Sequence, residues 1–224
     1  MKAVILAGGF GTRLQSVVKD VPKPMADINK RPFLEYLLER LISANVTEVV
    51  LSVGYKQDII KNYFKDKYKS IDILYASEDK PLGTGGALKK SLKLLNTKEN
   101  VLVLNGDTFY NLDIKKFYQS ALLNNLTLSL KPMQNFDRYG SVEIEGECIS
   151  SFREKSYVDK GLINAGVYLM KSNLLESVKE ELFSFEDFLQ EQKCIHYYVE
   201  DSYFVDIGIP QDYKKAQIDF KELF

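Results

Sequence analysis

Tryptophan is absent, histidine occurs once and cysteine twice, and no apolar run approaches the length of a membrane span. The lone histidine, His196, lies in an apolar stretch and reads as a structural residue, which leaves no basis for a serine–histidine triad. Cys148 and Cys194 stand far apart without metal-ligand spacing. The expectation is two separate, buried free thiols in a reducing compartment, with neither a disulfide nor a thiolate zinc site. The opening MKAVILAGG carries only a short apolar run before its glycines, below the length of a signal-peptide core, so a cytoplasmic protein is expected. Net charge is also missing. Thirty basic residues face 31 acidic ones, for a formal charge of -1, so no global field draws the chain to nucleic acid or an anionic membrane. A local basic cluster could still hold a small polyanion.

What remains is an ordinary globular composition, 45% hydrophobic and 27% charged over 224 residues, enough for a full core in one domain. KAVIL is a short buried-strand run that ends abruptly in GGFGTR, so a glycine loop should sit at the strand's carboxyl end. Phe33, Leu34, Leu37, Leu38, Leu41 and Ile42 recur at helical spacing before a second strand, EVVLSVG. Asp58 to Tyr63 reads as a helix, IDILYA as a strand, Gly86 to Leu95 as a helix and NVLVLNGD as a strand. This alternation implies a mostly parallel sheet with ligands at the carboxyl ends of its strands.

After about residue 110 the rhythm changes. LTLSL, GSVEIEG, CISSF and LINAGVYLM alternate with a two-residue period, as antiparallel strands do. SFEDFLQEQ reads as a helix capped by Ser184, CIHYYV and YFVDIG as late strands, and Tyr213 to Phe224 as a closing helix. No repeat or linker divides the chain. The expected fold is α/β: a single-domain, Rossmann-like three-layer sandwich over residues 1–224, with a mixed, mainly parallel central sheet and an antiparallel substrate-binding part. Its two halves, roughly 1–110 and 111–224, meet where the rhythm changes.

Chemistry concentrates between Leu6 and Pro24, where three glycines, Arg13 and Lys23 follow a strand. Glycines let backbone N–H groups approach phosphate oxygens, and Arg and Lys offset phosphate charge. The loop is not a Walker A motif, since GK[ST] is missing, and it lacks the third spaced glycine of a dinucleotide fingerprint. By itself it is equally readable as a tight turn.

GGFGTRL at 8–14 with PKP at 22–24 resembles the signature of the sugar-1-phosphate nucleotidyltransferases. The match continues in family order through LGTGGA (82–87), NGD (105–107), RYG (138–140), Glu154-Lys155, NAG (164–166) and VDIG (205–208). Within the family, FDRYG at 136–140 is similar to members that transfer GMP from GTP to a manno-configured heptose 1-phosphate for bacterial surface polysaccharide. The resemblance implies that Leu6, Ala7, Gly8 and Gly9 meet base and ribose, that Gly83 closes over the nucleotide, and that Gly11, Thr12, Arg13 and Lys23 lie along the phosphates. Asp107 and Asp206 would hold Mg²⁺, and Gly140, Glu154, Lys155 and Asn164 would line the sugar-phosphate pocket. Arg13, Lys23, Asp107 and Asp206 are the implied catalytic set. Ser156 and Val205 depart from the family's usual proline and bulky residue.

These groups suit the reaction. A sugar phosphate, with a second pKa of about 6, is already mostly dianionic near neutral pH and needs no protein base. The obstacle is repulsion between polyanions, which positioning, Mg²⁺ and cationic side chains overcome. The expected partners are therefore a nucleoside triphosphate and a sugar 1-phosphate, with no nucleic acid or membrane, and a homodimer left open. Mannose or glucose 1-phosphate, with GTP, CTP or UTP, is the alternative substrate pair, and two rivals differ in kind: CMP transfer to a phosphorylated choline-like alcohol, whose enzymes share the first half of the chain, and a silent nucleotide-sugar sensor on the same fold. Glu154, Lys155 and Asn164 argue against the first, and retention of all four catalytic residues against the second. The absence of β-helix repeats points away from an acyltransferase fusion or an added regulatory domain.

Overall fold

The computed structural model describes residues 1–224. KAVIL forms β1 (Lys2–Leu6), whose centre is fully buried. A small ribbon, β2 (Asp27–Ile28) with β3 (Arg31–Pro32), leads into helix α1 (Phe33–Ser43). There follow β4 (Glu48–Val53), α2 (Gln57–Phe64), β5 (Lys67–Tyr68), β6 (Ile71–Ser77), α3 (Gly83–Leu95) and β7 (Asn100–Asn105). Beyond them come β8 (Thr108–Tyr110), α4 (Ile114–Ser120), β9 (Leu126–Phe136), β10 (Ser141–Glu145), β11 (Cys148–Phe152) and β12 (Val158–Lys171). The chain closes with α5 (Phe185–Gln190), β13 (His196–Val199), β14 (Phe204–Asp206) and α6 (Pro210–Leu223).

Ten strands form one sheet in the order β10-β11-β13-β9-β12-β7-β1-β4-β6-β5. The centre, β7-β1-β4-β6, is parallel, as the strand–helix alternation predicts. Outside it the pairings are antiparallel except β13 with β9, so parallel pairing is confined to the four central strands and the β13–β9 pair, which β12 separates from them. The long strand β12 pairs with both β7 and β9 and so joins the strands on either side of residue 110.

Alternation along the strands sends side chains to two cores. Ala3, Ile5, Val49 and Leu51 face one core with Phe33, Leu37, Phe64, Phe117 and Phe220 from α1, α2, α4 and α6. Val4, Val50 and Val103 face the other with Leu88, Leu92, Phe185 and Phe188 from α3 and α5. Helix, sheet and helix make the three layers. Ser184 caps α5 as its sequence suggests, accepting the Asp187 N–H. β8 and α4 carry too little periodicity to be foreseen, and α3 and α6 begin three residues earlier than predicted.

The two cysteines correct their sequence reading. Cys148 and Cys194 form a disulfide across a separation of 46 residues, Cα atoms 5.3 Å apart. Neither is a buried free thiol: Cys194 is exposed and Cys148 partly so. The cause is tertiary, because β11 pairs with β13 with Cys148 opposite His196 and thereby brings residue 194 alongside. Free thiols therefore give no argument for a reducing compartment.

Candidate active site

A cleft of about 670 Å³ opens at the carboxyl ends of the parallel strands. Leu6, Ala7, Gly8, Gly9, Gly11, Thr12, Arg13, Lys23, Gly83 and Asp107 all line it. These come from the loops after β1 and β7, the segment before β2 and the start of α3, which the fold gathers where parallel strands end.

Two glycines have visible geometric reasons. Gly11 takes φ +60°, and a Cβ there would lie 3.0 Å from the Lys23 Cβ, so this glycine lets the loop close over the lysine. A Cβ on Gly106 would lie 2.6 Å from the Leu6 carbonyl oxygen, which instead accepts the Gly106 N–H at 2.9 Å and ties the NGD turn to the end of β1.

The Lys23 ammonium lies 2.5 Å from Asp107 Oδ2 and 3.5 Å from Asp206 Oδ1. The two carboxylates therefore converge, but not through the main sheet. Asp206 ends β14, which pairs only with β8 in a separate ribbon, and the Ile207 N–H donates to the Asp107 carbonyl at 3.0 Å. The Gly208 N–H donates to Asp206 Oδ1 at 2.7 Å. Burial, followed by the charge of Asp107, raises the pKa of Asp206 above the usual carboxylate value, while Lys23, the Gly208 N–H and Arg13 oppose the rise. Arg13 itself is exposed and makes no ion pair. No cluster of three or more acidic, histidine or cysteine ligands exists, so a divalent ion here would take two carboxylates plus substrate oxygens and water, a donor set that suits Mg²⁺.

Acidic side chains also line the cleft. Glu78 lines it without a cationic partner; Oε2 accepts the Leu82 N–H at 3.0 Å and Oε1 lies beside Gly8. Ser52, 1% exposed, also lines this wall, and its hydroxyl has no hydrogen-bond partner. Sequence reasoning gave no signal for Ser52.

The sugar-pocket residues are less gathered. Gly140, Glu154, Lys155 and Asn164 do not line the cleft. Glu154 and Lys155 are exposed, with no hydrogen bond or ion pair between side chains. Gly140 lies beside them, since a Cβ there would sit 2.6 Å from the Arg153 carbonyl oxygen. Asn164 holds the bulge of β12: its Nδ2 donates to the Tyr168 hydroxyl and its Oδ1 accepts the Gly166 N–H, both at 3.0 Å. Gly166, at φ +72°, packs against Asn105, a wall residue of the cleft, so Asn164 reaches the cleft through two neighbours. The Tyr139 ring meets the Phe204 ring edge-on, centroids 5.6 Å apart, which puts the RYG turn beside β14 and its Asp206; burial, followed by Asp206, pushes the Tyr139 phenol up to about 12.

Residues 2–222 match the profile of the nucleotidyl transferase family. The chain belongs to that family. Among its relatives, this nucleotidyltransferase is 47% identical over 222 residues to a D-glycero-alpha-D-manno-heptose 1-phosphate guanylyltransferase of Campylobacter jejuni, covering 95% of this chain and 97% of the relative. A protein of the same description from Aneurinibacillus thermoaerophilus is 46% identical, with 97% of each chain covered. The crystal structure of HddC from Yersinia pseudotuberculosis complexed with GMP-PN superposes with a TM-score of 0.89 at 41% identity, covering 98% of this nucleotidyltransferase and 99% of that chain. The fold is shared more widely: a UTP-bound UGPase from Acinetobacter baumannii gives a TM-score of 0.81 at 20% identity, over 100% of this chain and 94% of that one.

Proposed function

We propose that this nucleotidyltransferase transfers GMP from GTP to D-glycero-α-D-manno-heptose 1-phosphate, giving GDP-heptose and pyrophosphate. The observation that carries the reading is that all ten nucleotide-binding candidates line one cleft. Lys23 and Arg13 line it as cations for phosphates, and Glu78 lines it with a carboxylate that has no ion-pair partner. A carboxylate only accepts hydrogen bonds, and guanine is the base that offers two adjacent donors, N1–H and N2–H₂, on one edge. The near-full-length likeness to two heptose guanylyltransferases agrees with that base and suggests the sugar.

In this reading a phosphate oxygen of the sugar phosphate attacks the α-phosphorus of GTP. The new O–P bond forms as the bond to the β-phosphate oxygen breaks, and pyrophosphate leaves with that electron pair. Arg13 and Lys23 offset the charge of the two anions, and the Gly8–Gly11 loop orients the triphosphate. Asp107 and Asp206 would hold Mg²⁺, which when bound neutralises phosphate charge and fixes the α-phosphate. Glu154, Lys155, Gly140 and Asn164 would hold the sugar phosphate, Lys155 on the phosphate and Glu154 on hydroxyls.

A matrix of four nucleoside triphosphates against several sugar 1-phosphates and phosphocholine, read by pyrophosphate release, tests this. Release is expected only with both substrates present, best for GTP with the manno-configured heptose 1-phosphate. Turnover with phosphocholine and none with any sugar phosphate would refute the sugar assignment.

A further inference from the structure

Arg13 and Lys23 are not equivalent. Arg13 is exposed and unpaired, whereas the Lys23 side chain is 10% exposed and its ammonium already sits between both metal-binding candidates. It is enclosed there as well as attracted. Gly11 packs against its Cβ, and a Cβ on Gly208 would lie 3.2 Å from its Nζ. Thr108 donates to Asp107 Oδ1 at 3.2 Å and the Gly208 N–H to Asp206 Oδ1, which fixes both carboxylates toward the ammonium. The ammonium thus occupies the place that a divalent ion shared by these aspartates would take.

We propose that Lys23 is a built-in counter-ion that couples metal binding to triphosphate binding. An ammonium and a dication cannot share one pair of carboxylates, because at contact distance in a partly buried site their repulsion is large. Lys23 must therefore leave before the aspartates can coordinate a metal. No carboxylate other than Asp107 and Asp206 lies within ion-pair distance of the Lys23 ammonium; a bound triphosphate supplies a new anionic partner. The metal consequently binds weakly to the protein alone and tightly once nucleotide is present, and the nucleotide gains from the metal by the same factor. The charge of the two carboxylates is halved in the empty enzyme, and the lysine passes to the phosphates as the metal arrives. This rests on the reading of the cleft as a nucleoside triphosphate site.

The test measures binding without turnover. Mn²⁺ serves as the probe, and free Mn²⁺ is counted by its paramagnetic resonance signal in the absence of nucleotide. Lys23→Met should bind Mn²⁺ roughly tenfold more tightly than the unaltered protein, within the usual range of coupling factors. Lys23→Arg, which keeps the charge, should bind it as weakly as the unaltered protein. Lys23→Met/Asp107→Asn should lose the gain. If Lys23→Met is too unstable to titrate, Lys23→Gln replaces it, and the melting temperature should rise more on adding Mn²⁺ than that of the unaltered protein. In a second arm, a non-hydrolysable GTP analogue should strengthen Mn²⁺ binding to the unaltered protein, with a coupling about tenfold larger than in Lys23→Met. Unchanged or weaker Mn²⁺ binding by the neutral variants, without nucleotide, overturns the counter-ion role. Failure of the unaltered protein to bind the analogue under any condition overturns the proposed function instead.

Discussion

The Phe183 ring fills the space that any side chain at Gly85 would need: a Cβ at position 85 would lie 2.2 Å from the Phe183 Cε2. Phe183 is also bonded in place, its carbonyl accepting the Gly85 N–H at 3.0 Å and its N–H donating to the Leu82 carbonyl at 3.1 Å. The LGTGG segment thus starts α3 against a partner from the second half of the chain, and Thr84 completes the dock by donating to Glu186 at 2.7 Å. Gly85→Ala should destabilise the fold by about 1–3 kcal/mol, because overpacking a rigid ring outweighs the helix preference for alanine of at most about 1 kcal/mol. Phe183→Ala should recover part of that loss in the double variant, since the two changes share one contact. Additive losses in chemical denaturation would mean the contact does not set the cost.

Arg13 and Lys23 should separate in a comparison of activity with stability. Arg13→Ala should cost about 3–4 kcal/mol in the chemical step, or roughly 10²–10³ in rate, as for other preorganised cations. Its melting temperature should not move, because Arg13 is exposed and unpaired. Lys23→Ala should lose a similar rate and also melt lower, because it leaves Asp107 and Asp206 facing each other without a cation. Near-normal turnover in both variants would reduce the glycine loop to a turn.

Asp107→Asn and Asp206→Asn should each lower turnover steeply, with partial rescue by excess Mg²⁺. Both carboxylates converge on one cation position, so the double variant should be far less than multiplicatively worse than either single one. Steady-state rates across a magnesium titration check this, and independent effects would assign the aspartates to separate tasks.

The disulfide makes a counting experiment decisive. Unreduced, denatured protein should show no titratable thiol, and reduction should release both Cys148 and Cys194. A cross-link closing a loop of this size is typically worth about 2–4 kcal/mol, so reduction should also lower the denaturation midpoint.

Asp113 gives a pH signature. Its side chain caps α4 by accepting the Lys116 N–H at 3.1 Å, and that bond is the main reason its pKa lies below the usual aspartate value. A carboxyl whose folded pKa is depressed stabilises the fold above its unfolded pKa, and the contribution fades as pH falls through the folded pKa. Asp113→Ala should therefore melt lower than the unaltered protein at neutral pH, and the two curves should converge on acidification. A gap that persists undiminished to low pH would exclude the charged cap as its source.

Much of this architecture can be read from the residues. The parallel centre follows from alternating strand and helix patterns, and β1 with its glycine loop is legible because five apolar-rich residues stop at GG. α5 is legible from Ser184 and Asp187, whose capping bond forms within four residues and needs no tertiary context. Short elements such as β8 and α4 were invisible, since three to seven residues cannot establish a period.

By itself the sequence determined what is local: the helical and two-residue periodicities, the turns that only glycine permits, and the kinds of chemical group available at the end of β1. Tertiary structure decided which distant residues meet. Pairing of β11 with β13 made a disulfide of two cysteines that sequence reads as separate thiols. The β14–β8 ribbon, not the main sheet, carried Asp206 to Asp107, and the Gly11 turn laid Lys23 between them. The physical reason is the same in each case. Strand pairing is specified by hydrogen bonds and packing between segments far apart in the chain, and no period or motif within one segment encodes its partner.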